Sequence, residues 1–176
     1  MPDYRRHRVS GGTYFFTANL ADRTSDLLVT HIDVLRMAVR TTREKAPFHI
    51  DAWVILPDHM HCIWTLPQCD DDYSGRWRAL KKAFTKLIPP GEHRSATRVR
   101  RTERGIWQRR FWEHTIRDER DYAAHMDYVH FNPVKHGLST SVAGWPHSTF
   151  HRCLAMGLYP ADWAGGHAIV DGGERR

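Results

Sequence analysis

Long apolar runs are missing from this chain: none approaches the roughly 18 residues needed to cross a bilayer, which argues against a membrane-spanning protein. Cysteine is scarce. The three thiols, Cys62, Cys69 and Cys153, are odd in number and show no CxxC spacing, so neither a disulfide framework nor a zinc ribbon is expected. The N-terminus MPDYRRHRVSGG lacks the apolar segment of a secretory signal, and the expected compartment is the cytoplasm. Internal repeats are absent too. What the chain has in excess is positive charge: 26 Lys and Arg against 20 Asp and Glu, a net +6 with a pI near 9.5, which suits an anionic partner such as nucleic acid. With 176 residues the length fits one core.

The stretch PDHMHCIWTLP raises the chemical question. On a strand, side chains alternate, so His59, His61 and Ile63 share one face while Met60, Cys62 and Trp64 share the other. Two imidazoles roughly 7 Å apart along the backbone can converge on one cation. Cys62 faces away, which weakens a zinc-hydrolase reading that would use it as a ligand.

Around that strand the order reads βαββαβα. Thr13 to Asn19 is a β-branched and aromatic strand. A helix starts at Thr30, whose hydroxyl can cap it with Asp33 three residues on, and Pro47 closes it. Phe48–Leu56 and His59–Leu66 form a hairpin across Pro57-Asp58. Ser74 to Ile88 is an amphipathic helix with Arg76, Arg78, Lys81, Lys82 and Lys86 on its outer surface. The polar loop over 91–105, expected to be mobile, carries Arg94, Arg98, Arg100, Arg101 and Arg104. Gly105 to Ile116 reads as a fourth strand, and Asp118 opens a helix expected to stop near Asn132, before Pro133. The fold class is therefore α+β, ferredoxin-like, with an antiparallel four-stranded sheet and helices on one face. We take residues 1–138 as the main domain with a basic N-terminal arm. Residues 139–176 form an irregular tail that packs on or near it, disordered over its last ten residues.

On the last helix, Tyr122, Met126 and Val129 make the apolar stripe, and Tyr128 falls off it. Asn132 lies about 40° from Tyr128 on the side of Asp121 and His125, so a phenol and a carboxamide can face one site. Simpler readings exist: an HxH pair can be structural, a late helical tyrosine can merely pack, and Asn132 can be a helix end. Their conjunction inside one basic chain is what suggests a nucleophile beside a metal site. His125, His130 and His136 are open choices for moving protons.

The segments AWVILPDHMHCIWTLP, GIWQRRFWEHTIRDE, DYVHFNPVKHGL and WPHSTFHR with the later YPADW resemble the single-tyrosine HUH transposases, and within them the REP-associated tyrosine transposases. The resemblance implies a metal-dependent nuclease and strand transferase for single-stranded DNA. It implies recognition of hairpins from repetitive extragenic palindromes with their flanking tetranucleotide, in the cytoplasm, at the nucleoid; family members act in cis as monomers or in trans as dimers, and the REP-associated branch resembles the monomeric case. By that likeness His59 and His61 bind Mg²⁺ or Mn²⁺, Asn132 completes the protein ligands, and Tyr128 attacks the phosphate. Arg5, Arg6 and Arg8, together with exposed aromatics such as Tyr4, Trp107 and Trp112, are expected to hold unpaired bases. The basic helix and loop are expected to hold the hairpin stem. A hairpin-binding module without catalysis is the alternative.

Overall fold

The computed structural model describes residues 7–92 and 94–165; Arg5, Arg6, Tyr4 and the last ten residues lie outside them. The elements run β1 (Thr13–Asn19), α1 (Leu27–Thr30), α2 (Ile32–Lys45), β2 (His49–Ile55), β3 (His59–Thr65), α3 (Tyr73–Leu87), α4 (Ala96–Arg100), β4 (Trp112–Thr115), α5 (Glu119–Lys135) and α6 (Phe150–Ala155). The sheet order is β2-β3-β1-β4 with every neighbour antiparallel, the ferredoxin-like order expected.

The helices differ from expectation in where they sit. Both central strands bury side chains on both faces, so one helical layer is not enough. Tyr14, Phe16, Met60, Cys62 and Trp64 point to the side covered by the two crossover helices α2 and α3. Phe15, Val54 and Ile63 point to the opposite side, where α5 lies across the sheet. His59 and His61 face this second layer.

Several boundaries move for local reasons. The turn Leu27–Thr30 is already helical and the Thr30 amide bonds the Asp26 carbonyl at 3.0 Å, so no open helix end exists at Thr30 for its hydroxyl to cap. Asp33 pairs with Arg36 at 3.0 Å instead of closing a capping box. β4 is shorter than its apolar pattern: the Gln108 amide bonds the Asn19 carbonyl and the Gln108 carbonyl accepts from Lys81, while Phe111 stacks on Trp77, so 108–111 leaves the ladder. The basic loop contains α4, whose first turn is capped by the Ser95 hydroxyl. α5 begins at its Asp118 cap as expected, yet runs past Asn132 through Pro133 to Lys135. Proline cannot donate the bond to the carbonyl four residues earlier, but the buried Pro133 is held by packing and the His136 amide still reaches the Asn132 carbonyl at 3.0 Å.

Residues 147–152 of the tail lie against β2, an edge strand. Ser148 bridges Val54, the Thr149 amide donates to the Trp53 carbonyl at 2.8 Å, and Arg152 donates to the carbonyls of Ile50 and Asp51. An exposed strand edge is a template for association, and this segment covers it. The short helix α6 and the rings of Phe150, Tyr159 and Trp163 also wrap the far side of α5, where His130 is wholly buried.

Candidate active site

The β1–β3 register places Thr17 opposite His61 and Asn19 opposite His59. On the face toward α5, the Thr17 hydroxyl engages His61 Nδ1 at 2.8 Å, and the Asp58 carboxylate engages His59 Nδ1 at 2.7 Å. Asp58 is anchored in turn by Arg23 at 2.9 Å, and Arg23 also donates to the Asn19 side chain. Burial pushes the Asp58 carboxyl up, but its bond to His59 and the charges of His59 and Arg23 outweigh that and hold it below the usual carboxylate range. Each Nδ1 is thus engaged by a partner that fixes the ring, and Nε2 is the ring atom that would bind a ligand. The Nε2 of His59 is buried and makes no hydrogen bond among the described residues. The two rings are 5.1 Å apart and nearly perpendicular. An oriented imidazole pair with outer-shell partners and an orphaned ring nitrogen fits a divalent metal.

α5 runs alongside this pair. The Tyr128 ring stands edge-on to His61 at 5.2 Å, and two turns later the His136 ring stands edge-on to His59 at 5.1 Å. Asn132, fully buried, lies midway between them on the helix, bracketed by the residues that flank the two histidines. Tyr128 is less peripheral than its helical angle suggests. It is 9% exposed and packs with Phe15, Ile63, Met126 and Val129, because a helix crossing a full sheet face and wrapped by the tail buries more than one stripe. Its hydroxyl accepts a hydrogen bond from Lys135 at 3.1 Å.

The three histidines considered for proton transfer separate. His136 flanks His59. His130 turns to the tail, its ring nitrogen 3.2 Å from the Thr149 hydroxyl, and burial pushes it down to about 4. His125 joins His114 and Asp121 in a second group of ligand-type side chains, all within 4.8 Å of one another. In that group Asp121 binds His114 at 2.8 Å and His125 at 3.1 Å and also accepts from the Arg117 amide. The guanidinium of Arg117, 3.3 Å from the carboxylate, and the amino end of α5 already supply its positive charge. These bonds clamp β4 to the start of α5.

The basic residues also divide. Arg76 is only 3% exposed; it pairs with Asp70 at 2.7 Å and donates to the carbonyls of Ala46, Pro47 and Asp72, so its donors are committed within the fold. Arg104 forks onto Glu92 at 2.7 and 2.8 Å and donates to the carbonyls of Thr85, Ile88 and Pro89, closing the carboxyl end of α3. Lys81 ties down Gln108, and Arg98 packs over Gly105, where a φ of +73° and the close guanidinium leave no room for a β-carbon. Arg8 is exposed and bonded to Asp71. Arg78, Lys82, Lys86, Arg100 and Arg101 are exposed. Lys82 and Lys86 border a groove of about 580 Å³ that also takes in Trp107 and Arg109. Lys81 lies over the Trp107 ring and His114 stacks on Trp112, so neither ring is open on both faces.

Lys135, Thr17 and Asp58 were not singled out from the sequence. The signal for Lys135 is its spacing of seven from Tyr128, which returns it to the same helix face.

Sheet order, an HxH strand and a tyrosine-bearing helix packed on it define a protein of the paired-histidine, single-tyrosine class. No protein-family model matches the chain. The chain is 51% identical over 175 residues to a REP-associated tyrosine transposase of Escherichia coli K12, covering 99% of this chain and 98% of that one. It is 47% identical over 166 residues to a Haemophilus influenzae protein assigned the same family name, covering 94% of each. A solved REP-associated tyrosine transposase bound to a REP hairpin superposes with a TM-score of 0.87 at 50% identity, covering 100% of this chain and 99% of that one. The chain belongs to the REP-associated tyrosine transposases.

Proposed function

We propose that the chain cuts and rejoins single-stranded DNA beside REP-like hairpins and their flanking tetranucleotide, with Tyr128 as nucleophile and a divalent metal at His59, His61 and Asn132. The observation that carries this is the Tyr128 ring edge-on to His61, whose Nδ1 is fixed by Thr17. A solved relative bound to a REP hairpin supports the choice of partner.

The Tyr128 oxygen attacks the scissile phosphorus; the Oη–P bond forms, the P–O3′ bond breaks, and the phenol proton is balanced by the proton gained at the 3′-oxygen. The products are a 5′-phosphotyrosine and a free 3′-OH. One phosphodiester replaces another, so a second 3′-OH reverses the step without an external energy source. When bound at the two Nε2 atoms and the Asn132 carboxamide oxygen, the metal supplies charge neutralisation at the phosphate. Two imidazole donors favour Mn²⁺ over Mg²⁺, which prefers an all-oxygen shell. Thr17 and Asp58 hold the rings in place, and Phe15 fixes the Tyr128 ring from the sheet side.

Tyr128 beside the histidines of its own chain supports action in cis by a monomer. We take residues 1–138 as the catalytic unit and 139–176 as an accessory segment, of which residues 147–152 line β2. No described helix is long and apolar enough to cross a membrane. A DNA-joining role suits the cytoplasm, at the nucleoid. A labelled REP hairpin with its flanking single strand, incubated with Mn²⁺ or with EDTA, tests the reading. Cleavage only with metal, lost in Tyr128→Phe while hairpin affinity stays within about threefold, is the expected result. Tight binding with no cleavage under any metal leaves a non-catalytic hairpin binder.

A further inference from the structure

Lys135 lies seven residues beyond Tyr128 on α5, about 10.5 Å along the axis and about 20° round it, so its extended stem runs back over the face that carries Asn132. Its ammonium ends 3.1 Å from Tyr128 Oη and 4.6 Å from the centre of the Tyr128 ring. A surface lysine has many orientations in water, and this one is directed at the oxygen that does the chemistry. Its hydrogen bond is to a neutral phenol at rest, and a charge-assisted bond to an oxyanion is about twice as strong as a neutral one. The contact therefore strengthens as negative charge grows on Oη.

We propose that Lys135 is a catalytic residue of both half-reactions, donating a hydrogen bond to the Tyr128 oxygen while it carries negative charge. This rests on Tyr128 being the nucleophile. On attack, the charge exists as the phenol surrenders its proton and before the Oη–P bond is complete. On rejoining, an incoming 3′-oxygen forms the new P–O3′ bond, the Oη–P bond breaks with its electron pair returning to Oη, and the 3′-hydroxyl proton balances the restored phenol. Lys135 acts as a fixed hydrogen-bond donor, so it lowers the barrier in both directions. The same face of α5 thus carries the nucleophile, a metal ligand and a charge stabiliser at positions i, i+4 and i+7.

The rival role for an exposed lysine in a DNA-binding protein is a phosphate contact, and the two separate by leaving-group chemistry. Single-turnover cleavage and rejoining of a REP hairpin substrate are measured with Mn²⁺ for the full chain, Lys135→Met, Lys135→Arg and Tyr128→Phe, alongside hairpin affinity. Lys135→Met is expected to slow both steps by about 10- to 100-fold, the scale of losing one oxyanion donor at a partly open site. Affinity stays within about threefold, and Lys135→Arg recovers part of the rate. Placing 3,5-difluorotyrosine at position 128, a better leaving group, narrows the Lys135→Met deficit in rejoining. Wild-type rates in Lys135→Met beside an inactive Tyr128→Phe overturn the lysine alone. So does a deficit that the fluorinated residue leaves unchanged, or one that matches the loss of affinity. Cleavage by Tyr128→Phe removes the nucleophile and the lysine's role with it.

Discussion

The rings of Tyr128 and His61 meet edge-on, 5.2 Å apart at 77°, although one comes from the last long helix and the other from a central strand. The contact exists because β3 buries both faces, and α5 is the layer laid over the histidine side. Phe15, on the neighbouring strand, touches both rings and sets their spacing.

The ring of His61 is oriented by the Thr17 hydroxyl, and that of His59 by Asp58. Thr17→Val keeps the shape and removes the hydrogen bond. Its affinity for Mn²⁺, read by calorimetry, is expected to fall about 10- to 100-fold with the fold intact, and Asp58→Asn to behave alike. Unchanged metal affinity in both variants would show that these partners do not serve the pair.

Basic residues that look equivalent in the sequence are expected to part in experiment. Arg76→Met strips donors from Asp70 and from the carbonyls of Ala46, Pro47 and Asp72, and is expected to cost roughly 2 kcal/mol or more in denaturant unfolding. Lys82→Ala and Lys86→Ala are expected to leave stability within about 0.5 kcal/mol. Each weakens hairpin binding and lowers the slope of log affinity against log salt by about one. A full salt slope in both lysine variants would move the hairpin off this groove.

Acid should loosen the loop after α3 before the rest of the fold. The Arg104 fork holds the Glu92 carboxyl down at about 2, against an ordinary 4.5. A depressed carboxyl contributes stability that is present above its unfolded value and is lost as pH falls. Protection against hydrogen exchange over residues 88–105, taken relative to the intrinsic rate at each pH, should therefore fall between pH 4.5 and about 2, and Glu92→Gln should be loose already at neutral pH. A protection factor that does not change with pH in this window would contradict the role of the pair.

At the edge of the sheet, the Thr149 hydroxyl accepts from the Trp53 amide at 2.8 Å. Thr149→Val leaves that amide without its acceptor and is expected to cost about 1–3 kcal/mol, a Tm lower by roughly 3–10 °C in a domain of this size. Light scattering on the same variant checks whether a loosened edge promotes association.

Strand alternation was enough to separate His59 and His61 from Cys62, and the turn at Pro57-Asp58 to make the hairpin, because both depend only on local geometry. The second layer was not legible in the same way. Helical angle alone puts Tyr128 beside the stripe, and only the width of the sheet and the wrapping tail explain its burial. Charge was the poorest guide: Arg76 and Arg104 read as surface residues, and their work is to satisfy carbonyls brought together by distant turns. Pro133 marked a helix end that packing carries two residues further.

One cation shared by His59, His61 and Asn132 beside the Tyr128 oxygen is the arrangement we propose. Crystals soaked in Mn²⁺ and measured at its absorption edge test this most directly. An anomalous peak within about 2.0–2.4 Å of both Nε2 atoms and the Asn132 oxygen is the predicted result. A peak at His114, Asp121 and His125 with none at the histidine pair would contradict it.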